Sequence, residues 1–164
     1  MNWEAIGAAG EILGAIGVIA SLVYLAGQVR SSGNRARQAA IQSIVNQMNN
    51  VWTQMSSERS FADIWVRGSK GLSNLNDETE RVQFSALMLS IFRPYEELFH
   101  YRTSGLMEDW AWQSISSQCH ALMGCPGFEQ YWEQRGSWFS TSFQKHIMET
   151  MKSHPAYRRW VETE

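Results

Sequence analysis

The apolar positions of this chain follow two different patterns, and the first of them fills its beginning. From Ala5 to Gly27 the sequence is apolar on every side of a helix, and Glu11 is its only charged residue. These twenty-three residues would form a helix about 35 Å long, which exceeds the roughly 30 Å hydrocarbon core of a bilayer. The pattern therefore predicts a single transmembrane helix within residues 1–30.

Two other interpretations of this segment compete with a membrane helix. A cleaved signal peptide begins with a positively charged region, but the first four residues contain no Lys or Arg. A buried core helix of a soluble protein could also be this apolar, and counted from Ile12 alone the run is marginal for crossing a bilayer. We favour a retained membrane helix over both.

The flanks of the segment predict its anchors and its orientation. Trp3 and Tyr24 are suited to the two membrane interfaces, where aromatic side chains concentrate. The N-terminal flank has no basic residue, whereas three arginines follow the segment and no acidic residue lies between positions 11 and 58. By the positive-inside rule the N-terminus is expected outside and the rest of the chain in the cytoplasm. These arginines are Arg30, Arg35 and Arg37.

Small residues recur along one side of the predicted membrane helix at alternating spacings of three and four. Small side chains let helix backbones approach closely in lipid, where no hydrophobic force drives association. We expect this row to be a helix-packing interface, with a second copy or another membrane protein, although glycine is common in membrane helices generally. The row consists of Gly7, Gly10, Gly14, Gly17 and Ser21.

Glu11 is the one ionisable residue of the segment, and such residues are functional candidates because they are costly in lipid. Three interpretations stay open. Its side chain extends to the near interface, or it hydrogen-bonds across a helix contact, or it faces a hydrated pathway in an oligomer.

The second pattern, after residue 30, is helical throughout, because no stretch alternates with period two. Residues 31–34, Ser-Ser-Gly-Asn, predict a short hinge before a cytoplasmic domain at 35–164. A first helix at about 35–56 pairs an apolar face with an uncharged face rich in Asn and Gln. That polar face is either an ordinary neutral surface or a contact with another subunit.

Further helices are predicted at about 60–68, 77–103, 108–123, 128–134 and 140–151, with an extra turn at 155–161. The fold class is therefore all-α, with a cytoplasmic bundle of about five helices. Pro94 is expected to kink or divide the longest helix, and residues 125–127, Cys-Pro-Gly, to form a turn. The packing face of the longest helix is predicted to contain Val82, Phe84, Leu87, Ile91, Tyr95, Leu98 and Phe99.

Composition and charge narrow the function classes. The 164 residues allow one ordinary domain, and a net charge of −2 lacks the basic surface of a nucleic-acid binder. Two cysteines make no disulfide framework, which agrees with a reducing compartment. We expect no nucleic-acid partner.

Candidate chemistry is sparse. Glu97 and His100 have the Glu-x-x-His spacing of di-iron bundles, but such sites need a second copy of the motif and two more glutamates. Cys119, His120 and Cys125 could supply three zinc ligands, but no fourth has suitable spacing. No phosphate loop, nucleophile elbow or His-Glu-x-x-His occurs. We therefore expect neither a cofactor, a metal site nor catalytic residues.

The chain resembles a widespread family of uncharacterised bacterial proteins with one N-terminal membrane helix and a helical cytoplasmic domain. The likeness covers most of the chain, although Glu97 replaces an amide and Tyr101 a glutamine. It implies this architecture and a bacterial inner membrane location, but no activity and no catalytic residue. It is carried at the beginning by residues 2–7, 10–12, 24–26 and 28–30, and later by Glu96, Gly105-Leu106, Trp110, Cys125-Pro126-Gly127, Trp132 and Trp138-Phe139.

Three functional hypotheses follow. The leading one is a membrane-anchored interaction or assembly protein, which self-associates or serves as an accessory subunit of a larger membrane complex. The alternative is a homo-oligomeric channel or pore in which Glu11 faces the pathway. A metal-dependent, membrane-tethered enzyme is the weakest, because the motifs it would need are incomplete.

Overall fold

The computed structural model describes residues 3–153, and side chains 3–10, 12 and 13 are outside that description. The described backbone is helical and contains no strand, so the predicted all-α class is confirmed. The chain divides into two units after residue 40. Its helices are α1 (Trp3–Ser57), α2 (Arg59–Ser69), α3 (Glu78–Thr103), α4 (Asp109–Met123), α5 (Pro126–Arg135) and α6 (Thr141–Ser153).

The predicted hinge at residues 31–34 does not interrupt the helix, because α1 runs through these residues. A single glycine costs a helix only about 1 kcal/mol relative to alanine, which long flanking turns can absorb. The polar residues here also bond within the helix. Arg35 Nη2 donates to Ser31 Oγ at 3.2 Å, and Arg37 Nη2 donates to Asn34 Oδ1 at 3.3 Å.

Beyond residue 40, α1 has the amphipathic character that its sequence predicts. Its apolar face is buried or half-buried, and its uncharged polar face is exposed. The apolar residues are Ile41, Ile44, Val45, Met48, Val51, Trp52 and Met55. The exposed polar residues are Gln42, Asn46, Asn49, Asn50 and Thr53, and Gln38, which precedes this stretch on the same face, is exposed as well.

The connection from α2 to α3 is a short loop that contains a 3₁₀ turn at Leu72–Asn74 and ends in a helix cap. Asp77 Oδ1 accepts from the backbone N–H of Glu80 at 2.9 Å, so Asp77 is the N-cap of α3. Arg67 on α2 donates to both carboxylate oxygens of Glu80, at 2.7 and 2.8 Å. The Arg67 guanidinium and the Asn76 N–H lower the pKa of Glu80 to about 2.

The longest helix of the domain, α3, is not divided at Pro94. Proline removes the hydrogen bond to the carbonyl four residues earlier, but Pro94 lies in a buried stretch whose packing holds the helix together. The helix ends where its composition predicts. Gly105 adopts a φ of +68°, and the N–H of Leu106 donates to the Tyr101 carbonyl at 2.9 Å, the pattern of a Schellman motif.

The prediction is wrong for one residue of the packing face of α3, Val82, which is not in the core. Val82 is 61% exposed, whereas the other six residues of its predicted packing face are buried or half-buried. Periodicity gives the apolar side of a helix but not how much of its length the neighbours cover. Val82 instead lines an open groove of about 620 Å³ with Arg81, Leu89 and Trp138.

The core is built around α3, and α2 and α5 approach each other closely beside it. A Cβ on Gly127 of α5 would overlap the carbonyl oxygen of Gly68 on α2. A Cβ on Gly68 would overlap the Phe84 ring of α3, with the ring atoms Cε2 and Cγ at 2.6 and 2.7 Å. Only glycine permits this three-helix contact. The sequence instead placed Gly68 at the end of a predicted helix and Gly127 in a turn.

The last two helices begin close to their predicted starts. The predicted turn at residues 125–127 is wrong, because α5 already begins at Pro126, and proline suits the first helical position, where no N–H is needed. Among the aromatic residues near the C-terminus, Tyr131, Phe139 and Phe143 are buried, Trp132 is half-buried and Trp138 is 53% exposed. The extra turn predicted at 155–161 lies outside the described residues.

Candidate functional site

The main candidate site is the apolar segment of α1, whose described side chains are all exposed from residue 14 to residue 30. Its large apolar side chains are each 53 to 72% exposed and lie on every side of the helix. By length and composition this helix could cross a membrane, and none of its most apolar stretch is buried. The exposed side chains are Ile16, Val18, Ile19, Leu22, Val23, Tyr24, Leu25 and Val29.

Apolar side chains with this much exposed surface would be stabilised by burial against another apolar surface or in lipid. Burying an aliphatic side chain of this kind is worth about 1.5–3 kcal/mol, so the seven aliphatic ones together represent on the order of 10–20 kcal/mol. That is comparable to the whole stability of a typical domain. A helix that is apolar on all sides is usually found within a protein core or a membrane.

The row of small residues leaves room for a neighbouring helix. A Cβ on Gly14 or Gly17 would meet no atom within 4 Å. The Ser21 hydroxyl donates to the Gly17 carbonyl at 2.8 Å, so its polar group is satisfied inside the helix. The positions of Gly7 and Gly10 lie outside the described side chains. The described part of the row is therefore open and apolar in character.

Most of the described polar residues around the segment are exposed. The side chain of Glu11 is exposed, a placement that does not distinguish its three interpretations. Arg30 and Arg35 are exposed and Arg37 is half-buried, so the three arginines present positive charge beyond the apolar stretch. The interfacial anchor Tyr24 is 71% exposed. The other anchor, Trp3, begins α1, but its side chain is outside the described set.

The uncharged polar face of α1 bonds along the helix. Gln42 Nε2 donates to Asn46 Oδ1 at 3.1 Å, and the Thr53 hydroxyl donates to the Asn49 carbonyl at 3.0 Å. These exposed groups satisfy one another without a charged residue. The arrangement is compatible with both hypotheses for this face, a neutral surface and a subunit contact.

The candidate metal ligands do not come together. Glu97 is exposed, and His100 Nε2 lies 3.1 Å from the Ser140 hydroxyl. Cys119 is only 1% exposed, and burial raises the pKa of its thiol. Among the described residues, no three His, Cys, Asp or Glu side chains are grouped to hold a metal ion.

The neighbour of Glu97 has a structural role. Glu96 is buried, and its carboxylate accepts from the Ser140 N–H and from Arg93 Nη1, both at 2.6 Å. Arg93 Nη2 also donates to the Trp138 carbonyl at 3.1 Å. Burial alone would raise the pKa of Glu96. The donors from Ser140 and Arg93 together lower this pKa by more than burial raises it, so the pKa lies below its ordinary value. The carboxylate thereby ties α3 to the start of α6.

The sequence missed a cluster of polar groups in the aromatic core. The Tyr95 hydroxyl lies 3.1 Å from His146 Nε2 and 3.4 Å from His120 Nε2. Burial raises the pKa of Tyr95. The three residues lie on α3, α6 and α4, so no local spacing shows their meeting. The one available signal was His146, three residues after the buried Phe143 on the apolar side of α6.

Comparison with known proteins adds no relative. No protein-family model, no curated protein and no solved structure matches the chain.

Proposed function

We propose that this chain is a single-pass membrane protein with a role in assembly. Its N-terminal helix anchors it in the bilayer, and the chain associates with copies of itself or joins a larger membrane complex as an accessory subunit. The observation that carries the proposal is the exposed apolar segment at residues 14–30, which a bilayer would cover. The family resemblance supports the inner membrane of a bacterium as the location.

The small-residue row is the surface on which we place the helix contact. Gly14 and Gly17 have open space where a side chain would be, so a second helix could approach their backbone closely. Arg30, Arg35 and Arg37 support an orientation with the helical domain in the cytoplasm.

The test is the mass of the complex extracted from native membranes in a mild detergent, measured by native mass spectrometry. Gly14→Leu and Gly17→Leu would obstruct the row. Apart from the adjacent helix backbone, no described atom lies within 4 Å of a Cβ at either position, so the helix itself should be unaffected. Ala15→Leu is the matched control, because it adds the same side chain about 100° around the helix from Gly14.

Three outcomes are informative. A defined homo-oligomer that dissociates in the glycine variants but not in Ala15→Leu supports self-association through the row. A mass that requires other proteins, and that the glycine variants reduce, supports an accessory subunit. A monomer in every preparation contradicts an assembly role.

A pore is the second candidate function, favoured by the exposed carboxylate of Glu11 in an otherwise apolar segment. Rings of acidic side chains are used in cation pathways. In liposomes, a pore would give cation flux that Glu11→Gln reduces, whereas equal flux in both proteins, or none, would exclude this role.

A further inference from the structure

Three helices of the domain meet at one hydroxyl group. Tyr95 extends from α3, His120 from α4 and His146 from α6, and the Nε2 atoms of both histidines lie within 3.4 Å of the tyrosine oxygen. The centroids of the two imidazole rings are 6.3 Å apart. The contact closes sequence separations of 25 and 51 residues.

This arrangement restricts where the protons can be. A hydroxyl donates one hydrogen bond and accepts others, and a neutral imidazole has one donor nitrogen and one acceptor nitrogen. Both contacts are satisfied when Tyr95 donates to one Nε2 and accepts from the other, with both histidines neutral. A single protonation is accommodated, because the other neutral imidazole carries its proton on Nδ1 and accepts the tyrosine hydrogen at Nε2. Protonation of both histidines turns both Nε2 atoms into donors, and the tyrosine hydrogen then has no acceptor in the pair.

The surroundings of the cluster are aromatic. Trp112 stacks on Tyr95 with ring centroids 5.2 Å apart, and Phe99 stacks on His146 at 4.8 Å. Phe143 contacts Tyr95 edge-on at 5.5 Å. These rings cover part of the two half-buried imidazoles, which disfavours their charged form, although aromatic faces also attract cations.

Two ionisable groups, Cys119 and Glu149, act on Tyr95 and on His146 respectively. From α4, the buried Cys119 thiol acts on Tyr95, and its raised pKa keeps it neutral. From α6, Glu149 favours the charged form of His146, but it lies at the surface, 3.9 Å from Lys145. Burial is the larger effect, and it lowers the pKa of His146.

We propose that Tyr95, His120 and His146 form an acid-labile clasp, which joins α3, α4 and α6 at neutral pH and opens when the imidazoles are protonated. The clasp would make the helical domain responsive to mild acid. Its residues all belong to the domain, so the clasp does not depend on the membrane role of α1.

The direction of the effect follows from linkage. His146 binds a proton less readily in the folded protein than in the unfolded chain, whose ordinary histidine pKa is about 6.5. The stabilising contribution is therefore complete above about pH 6.5 and is lost as the pH falls toward the lower folded value. Between pH 7.5 and 5.5, a lowered pKa that keeps His146 neutral in the folded protein increases the unfolding equilibrium constant up to about tenfold.

The experiment is chemical denaturation of the full-length protein in a nonionic detergent at pH 7.5, 6.5 and 5.5. His146→Gln and His120→Gln, alone and together, keep a neutral hydrogen-bonding side chain that cannot titrate. His100→Gln is the control, because His100 is exposed and bonds to Ser140 outside the cluster. Carboxylates whose pKa values are lowered, such as Glu80 and Glu96, titrate below this window.

The clasp predicts that wild type and His100→Gln lose stability as the pH falls and that the double variant loses at least three quarters of this dependence. Two results overturn it: an equal dependence in the double variant, and a wild type whose stability is constant or greater at pH 5.5. The second result would mean that the aromatic rings stabilise the imidazolium.

A local measurement covers the possibility that the double variant does not fold. Amide hydrogen exchange of wild type, corrected for intrinsic rates, should show α6 losing at least fivefold more protection than α2 between pH 7.5 and 5.5. Equal loss in both helices, or none in α6, contradicts a clasp that holds α6.

Discussion

Replacement of Gly127 by alanine tests the closest helix contact of the domain. The added methyl group would overlap the backbone carbonyl of Gly68 and would lie 3.2 Å from the Phe84 ring. A backbone carbonyl cannot rotate away as a side chain can, so α2 and α5 must separate. Overpacking usually costs about 1–3 kcal/mol, and a clash with backbone belongs at the upper end of that range.

The sign of the effect makes this substitution decisive. Glycine to alanine within an unobstructed helix stabilises by up to about 1 kcal/mol. We expect Gly127→Ala to destabilise the protein by about 2–3 kcal/mol in spite of that gain. Gly33→Ala is the control, because Gly33 lies in α1 and a Cβ there meets nothing within 4 Å.

The assay is chemical denaturation of full-length protein in mild detergent, followed by near-ultraviolet circular dichroism. The reasoning requires opposite changes: a lower midpoint for Gly127→Ala and an unchanged or higher midpoint for Gly33→Ala. If Gly127→Ala were neutral or stabilising, the contact between α2 and α5 would be wrong.

Three further predictions concern single groups. Glu96→Gln should reduce the free energy of unfolding by about 1–3 kcal/mol at pH 7. It should also reduce the loss of stability below pH 4.5, because the folded pKa of Glu96 is lowered and its stabilising contribution, complete above pH 4.5, is lost as the pH falls. Denaturant titrations with an unchanged acid profile would count against this. Asp77→Ala should cost about 1 kcal/mol through the lost cap on the Glu80 N–H, whereas Asp77→Asn should cost much less, and equal losses would reject the cap. Cys119 should react with a maleimide at pH 7.5 at least tenfold more slowly than in denaturant, because it is buried and its pKa is raised, and mass spectrometry of the Cys119 peptide after timed labelling would show whether it does.

Much of the fold could be predicted because local rules govern it. Apolar spacing placed the buried face of α1 beyond residue 40 and predicted α3 to within one residue of its observed ends, which the Asp77 cap and the positive φ of Gly105 fix in the structure. These features depend on neighbouring residues alone, so the sequence contains them in full.

The misplaced features depend on what lies opposite. Val82 has a core residue's spacing, but no neighbour covers it. Gly127 is ordinary in sequence, and its need for glycine comes from the backbone of Gly68, 59 positions away. The hinge expected at residues 31–34 shows another reason why local sequence can mislead. Weak helix formers within a long helix are outweighed by the helical turns on either side.

The candidate functional residues likewise include some that local sequence predicts and some that only tertiary packing brings together. The apolar segment with its arginine flank is a local pattern, and the structure adds that its side chains are uncovered. The contact between Tyr95, His120 and His146 results from the packing of three helices, and no sequence motif predicts it.

Alkaline carbonate extraction of membranes that contain the native protein tests the central claim most directly. A protein anchored by a helix across the bilayer stays in the membrane pellet, and an Ile19→Lys, Leu22→Lys variant, with two charges at exposed apolar positions of α1, should move to the supernatant. Recovery of the wild-type protein in the supernatant would show that the segment does not cross the membrane, and the account of its function would be wrong.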